Sequence, residues 1–404
     1  MSKESINFSH LLLTQLRYPK SRPFSHRVQP MNLTCNKDNQ TFSLLICEVI
    51  DTCNRCVSSM EQRENLIELL TQLQDFRKYY GCNDISVTSM LDQLGSNLQE
   101  SHLSRFSLYF YQEIIRIEKL YLGPRHPDLA PTLYNIGQVY AENEQFFEAT
   151  EYFSEAFFLL KNSNKNGKLL ALTLFKIGLI KYESSPVDAM KIFHCSIKAQ
   201  KDVVGEFHPD IAQMHLQIGK LLLQSDMKDN AIDSFLQALM VLRISKGNND
   251  VKIGEILYHI GLCHKDKGEY VQALNSFYQS MEITKRSQDK EMIMILHEIF
   301  LIHQSIGDIH NAINVLHEII ATVIEKVGEK HICVASVLGQ LRTLYEKQGM
   351  MEMSKKVSTN IDNICYTSRS VIHNSSYEFI NFIIELFGYI LEDSSTIIVS
   401  AAAA

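Results

Sequence analysis

The residues of this 404-residue chain that could do chemistry are its cysteines and histidines. Cys53-Asn-Arg-Cys56 is a C-x-x-C, the spacing that brings two thiolates to one metal ion. A zinc site wants a second such pair, and Cys35 and Cys47 stand at irregular distances, so the motif reads as two helical cysteines near a core. His259 and Cys263 lie one helical turn apart. His297, His303, His310 and His317 recur at six- and seven-residue steps, the rhythm of helices, and read as surface or groove residues rather than ligands or bases. No stretch matches a glycine-rich phosphate loop, a GxSxG nucleophile elbow or an HExxH zinc pair. The expectation is a protein with no catalytic residues, no metal and no cofactor.

What would position these residues is a repeated helix pair. An apolar residue followed by glycine occurs at Leu94-Gly95, Ile136-Gly137, Ile177-Gly178, Ile218-Gly219 and Ile260-Gly261. The same register continues at Ile299-Phe300 and Leu341-Arg342, where glycine is replaced. The steps are 42, 41, 41, 42, 39 and 42 residues. A small residue near the start of each second helix follows the same period: Ser107, Ala149, Ala189, Ala231, Ala273 and Ala312. Four further on come Tyr111, Phe153, Phe193, Phe235, Phe277 and Leu316, one helix face with the small residue. Self-similarity at this period marks a repeat protein.

The Gly-x2-Tyr of Gly137 and Tyr140, with the Ala-x3-Phe-x2-Ala of Ala149, Phe153 and Ala156, resembles the tetratricopeptide repeat, two antiparallel helices per unit. The connectors Gly123-Pro-Arg-His126-Pro127-Asp128 and Gly205-Glu-Phe-His208-Pro209-Asp210, with a worn copy at Gly328-Glu-Lys-His331, resemble the kinesin light chain and nephrocystin-like branch of that family. The resemblance covers Ile85 to Ser368. It implies an all-α fold, a right-handed superhelical α-solenoid of about seven helix pairs with flanking capping helices. In the connectors, Gly123, Gly205, Gly167 and Gly247 are expected to end helices, and Pro127 and Pro209 to open the next.

The domain reading places a disordered basic tail at 1–40, an N-terminal helical cap at 41–82, the solenoid at 83–368, and a C-terminal capping helix and tail at 369–404. Within the cap, Ile67, Leu70, Leu73, Phe76 and Tyr80 share one predicted face. That segment is too short for the heptads that tether a kinesin light chain to its motor, the main departure from that family and one that speaks against motor association. Tyr377 to Leu391 forms a further amphipathic helix that covers the last apolar face. A net charge of −7 argues against sequence-independent nucleic-acid binding. The scattered cysteines and the lack of a long uncharged apolar run place the chain in the cytoplasm, with organelle targeting by residues 1–40 as the alternative.

Function then falls to the concave face that the resemblance assigns to the first helix of each pair. Residues at −3, −2, +1 and +4 from the repeat glycine form one stripe. They include Tyr134, Asn135, Gln138, Phe175, Lys176, Tyr182, Gln217, Lys220, Tyr258, His259 and Lys265, and the next repeat adds His297, Glu298, Leu301 and Gln304. Amides would clamp the backbone of an extended peptide, and aromatics would make pockets for its side chains. Lys176, Lys220 and Lys265 point to acidic partner segments. The expected function is a non-enzymatic protein-interaction adaptor. The alternatives are a kinesin-light-chain-like cargo adaptor and, behind it, an enzyme or enzyme-regulatory subunit using the N-terminal segment, and the oligomeric state is left open.

Overall fold

The computed structural model describes residues 38–161, 163, 166–284, 289–368, 383, 386 and 387. Of the tail expected at 1–40, residues 1–37 lie outside them and 38–40 already belong to the first helix; most of the C-terminal segment lies outside as well. The described residues form sixteen α-helices and two short 3-10 helices, with no strand among them. The chain divides into two compact units, 1–205 and 206–404.

In the first unit, α1 (Asp38–Cys56) and α2 (Met60–Tyr80) precede three helix pairs. These are α3 (Thr88–Glu100) with α4 (Ser104–Leu122), α5 (Ala130–Glu142) with α6 (Phe146–Leu160), and α7 (Gly167–Tyr182) with α8 (Pro186–Val204). The second unit holds α9 (Pro209–Gln224) with α10 (Lys228–Lys246), α11 (Val251–Asp266) with α12 (Tyr270–Thr284), α13 (Asp289–Ser305) with α14 (Ile309–Val327), and α15 (Ile332–Lys347) with α16 (Met351–Ser368). Each unit is an all-α stack of the repeat-solenoid class.

The glycine and aromatic positions of the repeat are one contact seen twice in the sequence. A Cβ placed on Gly137 would lie 2.8 Å from the Phe153 ring, and one on Gly219 would lie 2.5 Å from Phe235. Gly95 with Tyr111, Gly178 with Phe193 and Gly261 with Phe277 meet in the same way, at 2.9, 2.6 and 2.6 Å. The first helix gives up its side chain so that the second can lay a ring flat on its backbone. The small residue four before the ring is fully buried in every one of these pairs, Ser107 included, which lets the helices close on it. Where the glycine becomes Phe300, the facing residue shrinks to Leu316, and both are buried. Volume has moved across the contact and the total is kept.

The connectors carry a cap the sequence did not announce. His126 Nδ1 accepts from the Asp128 amide at 3.2 Å, and His208 Nδ1 from Asp210 at 3.2 Å. His331 Nδ1 does the same for Cys333 at 3.3 Å. The histidine of G-x-x-H therefore takes the place of the usual Ser or Asp at a helix start. Gly123 and Gly205 end their helices at φ of 83° and 89°, a conformation open to glycine. Gly167 departs from the expectation. It opens α7, and its bare Cα admits Val203, whose Cγ2 would stand 2.5 Å from an added Cβ.

The cap helix α2 keeps Leu70 and Leu73 of the expected face inward and turns its aromatics out. Leu66, Leu70, Leu73 and Arg77 are buried, while Phe76 and Tyr80 are exposed. Arg77 replaces the aromatics because its guanidinium carbon sits 3.7 Å over the centre of the Phe42 ring of α1, a cation–π contact. In α1, Cys53 is buried and Cys56 exposed.

Candidate functional site

The stripe on the first helices divides into side chains that pack inward and side chains that carry polar ends, most of them met by a neighbouring helix. The −3 aromatics face inward. Tyr134 is buried with its ring 5.5 Å from Phe153, and Phe175 is buried 5.3 Å from Phe193. Tyr182 is buried as well, its hydroxyl without a hydrogen bond. The expected pockets at these three residues are thus filled by their own helix pairs. Tyr258 is half-buried against Phe277, at 5.7 Å. One residue on, His259 stacks on Phe235 at 5.4 Å with the rings 10° apart. Burial, with Lys220 nearby, lowers its pKa to about 4, so it is a neutral packing residue.

The lysines have partners. Lys220 Nζ donates to Glu255 Oε1 at 2.6 Å, and Lys265 Nζ to Glu298 Oε2 at 2.5 Å. Lys176 is half-buried, and burial lowers its pKa against the pull of Glu142. Each lysine on the stripe is accompanied by a carboxylate, so the expected positive groove is largely offset. Gln217 is exposed. Asn135 Nδ2 donates to Asp92 Oδ1 of α3 at 3.4 Å, and Gln138 lines a cavity of about 730 Å³ with Asp92, Glu100 and Glu142.

At the last two repeats of the second unit the stripe is covered. Ile383 and Phe387, from the segment beyond α16, are buried in the core that includes α13 and α15. The Phe387 ring meets His297 edge-on at 5.0 Å. His297 also bonds the Leu386 backbone, and Gln340 Nε2 donates to the Phe387 carbonyl at 3.2 Å. His297 lies at the −3 position of its repeat, and Gln340 at the −2 position of the next. Carrying the same register one repeat further would have found Gln340; carrying it one repeat back would have found Asp92. Of the other histidines only His303 departs from the surface reading, buried with Asp308 3.4 Å away, whereas His310 and His317 are exposed, His317 Nε2 lying 3.2 Å from the Tyr345 hydroxyl. Cys263 is buried, its pKa pushed up to about 11. No group of His, Cys, Asp or Glu among the described residues could hold a metal ion.

Helix pairs closed by an aromatic on a bare glycine, with a polar stripe along the first helices, define a tetratricopeptide-like repeat protein, and relatives by sequence agree. The chain is 21% identical over 264 residues to KINESIN LIGHT CHAIN-RELATED 3 of Arabidopsis thaliana, a match over 64% of this chain and 40% of that protein. It is 20% identical over 267 residues to KINESIN LIGHT CHAIN-RELATED 1 of the same plant, over 64% and 43%. The chain thus spans less than half the length of these relatives. Residues 124–337, more than half of the chain, match the family described as meiosis protein SPO22/ZIP4 like, and the chain belongs to that family. Among solved structures, the apo form of the quorum sensor NprR from B. thuringiensis aligns with a TM-score of 0.47 and 13% identity, over 90% of this chain and 94% of that one.

Proposed function

We propose that the chain is a non-enzymatic scaffold that holds segments of other proteins on the first-helix stripe, within a complex that acts in meiosis. The observation that carries this reading is Phe387. An apolar ring seats on the stripe while His297 and Gln340 take hold of the backbone beside it. This is how a groove recognises a segment: side chains fill it, and polar groups clamp the main chain. The family's description as meiosis proteins supplies the setting. No helix among the described residues is long and apolar enough to cross a membrane, and the net charge of −7 supports protein partners over nucleic acid. The acidic-segment preference rests on Lys176, Lys220 and Lys265, and their carboxylate neighbours weaken it. Cytoplasmic residence is part of the reading, and a tagged chain concentrated elsewhere in meiotic cells would remove it.

The test is binding in trans. A soluble fusion carrying residues 377–391 is titrated into the full chain bearing Phe387→Ala, whose own segment is loosened. Binding to that variant, weakened about tenfold or more by adding Gln340→Ala, is the expected result. No binding to a variant that melts as the wild type does would overturn the reading.

A further inference from the structure

The cavity of the first unit carries a chemistry of its own. It opens between α3, α4 and α5, and Asp92, Glu100 and Glu142 all line it, with no lysine or arginine in its wall. Two of these carboxylates are held by neutral amides, which leave their charge in place, although Lys176 of α7 offsets part of that of Glu142. Asn135 donates to Asp92 at 3.4 Å, and Gln99 Nε2 to Glu142 Oε1 at 2.7 Å. An acidic cluster alone says little. Here a second feature points the same way. The Tyr111 side chain is only 2% exposed, its ring lies against Gly95, and it also lines the cavity. Its hydroxyl has no hydrogen-bond partner among the described residues. Burial and the three carboxylates push its pKa up, so it stays a neutral phenol that can accept a hydrogen bond. It faces the cavity, where an incoming N–H donor can reach it.

We propose that this cavity is a socket for a cationic side chain, an ammonium or guanidinium carried by a segment of a partner protein. The carboxylates are not gathered closely enough to hold a metal ion. Separated acceptors suit instead a group with several N–H donors, three on an ammonium or five on a guanidinium. Charge-assisted bonds to Glu142, Glu100 and Asp92 neutralise it, and Tyr111 accepts a further bond. A volume of about 730 Å³ is ample for one such side chain and the backbone that carries it. The socket rests on the scaffold reading and gives the first unit a charge preference opposite to the acidic segments that the lysines suggested.

The experiment uses the full chain and a labelled peptide of alternating Ala and Lys, with its Nζ-acetylated copy and an Ala-Glu copy, followed by fluorescence anisotropy at low and high salt. The Ala-Lys peptide is expected to bind and to weaken with salt, and the other two to fail. Glu100→Gln with Glu142→Gln should lower affinity about tenfold or more, and Tyr111→Phe about threefold to tenfold, with melting unchanged because the ring remains in place. Binding that ignores acetylation or these substitutions overturns the socket. Displacement of the peptide by equimolar spermidine overturns a segment-borne cation in favour of a free amine. If the socket fails while the 377–391 fusion binds, the scaffold reading stands without it; if the fusion fails and the socket holds, the covered stripe of the second unit is not a partner site.

Discussion

The α5–α6 pair of the first unit and the α13–α14 pair of the second are the same repeat with its large and small parts exchanged. In the first, Gly137 leaves room for Phe153; in the second, Phe300 is the large residue and Leu316 the smaller one. Their inner faces diverge further. Asn135 and Gln138 look onto an acidic cavity, whereas His297 lies under Phe387 of the chain's own C-terminal segment. The core contact accepts an inversion because it is read by summed volume. The inner stripe contributes less to that volume, so its chemistry can differ from one repeat to the next without disturbing the frame. Fold and function are in this sense written on different faces of the same helices.

The largest effect should come from emptying a ring position. Phe235→Ala is expected to cost about 3–5 kcal/mol in chemical denaturation, since the ring is fully buried on Gly219. A loss under about 1 kcal/mol would show that the contact is not the frame of the repeat. The exchange seen at Phe300 and Leu316 sharpens this. Gly219→Ala alone should cost about 1–3 kcal/mol by overpacking, and adding Phe235→Leu should cost less than the sum of the two single changes. Strict additivity would mean that the two positions do not share one volume.

His259 gives the next effect, visible in pH. Its folded pKa of about 4 lies below the ordinary 6.5, so the unfolded chain binds the proton more readily in between. The stabilisation is fully present above about pH 6.5 and is lost as pH falls toward 4, by on the order of 2–3 kcal/mol. Denaturation of wild type and His259→Phe across this window checks it, and the difference between the two should shrink or reverse at the acid end. Parallel curves would mean that the imidazole is hydrated.

The sequence made the frame legible because its grammar is local. Gly219 and Phe235 stand sixteen residues apart in one helical hairpin, and each recurs at the repeat period. The left-handed helix ends at Gly123 and Gly205 were legible for the same reason. Less was legible where a side chain chooses among neighbours. The register put Tyr134 and Phe175 on the stripe, but an aromatic beside a buried ring turns to it, and periodicity cannot tell inward from outward at a stripe's edge. In α2, Arg77 displaced Phe76 and Tyr80 from the inner face because Phe42 lay over it, a partner 35 residues away. Lys220 and Lys265 looked like free positive charges for the same reason: Glu255 and Glu298 come from the following first helices.

The smallest effect tests that last point. Lys220 and Glu255 form a short ion pair, yet their side chains remain 40% and 42% exposed. Water screens such a pair, and holding two long side chains costs entropy, so its net contribution is at most about 1 kcal/mol. Lys220→Gln should therefore leave the melting temperature nearly unchanged. Lys220→Glu should do more, because it sets two carboxylates side by side where an ion pair stood, although solvent will still screen the repulsion. If the lysine served an acidic partner, Lys220→Gln would weaken binding of an Ala-Glu peptide without touching stability. If its work is to neutralise Glu255, releasing that carboxylate should instead strengthen binding of an Ala-Lys peptide to the second unit, most clearly at low salt. Measuring both peptides on the one variant separates the two roles, and no change with either would make the pair a solvated contact between helices.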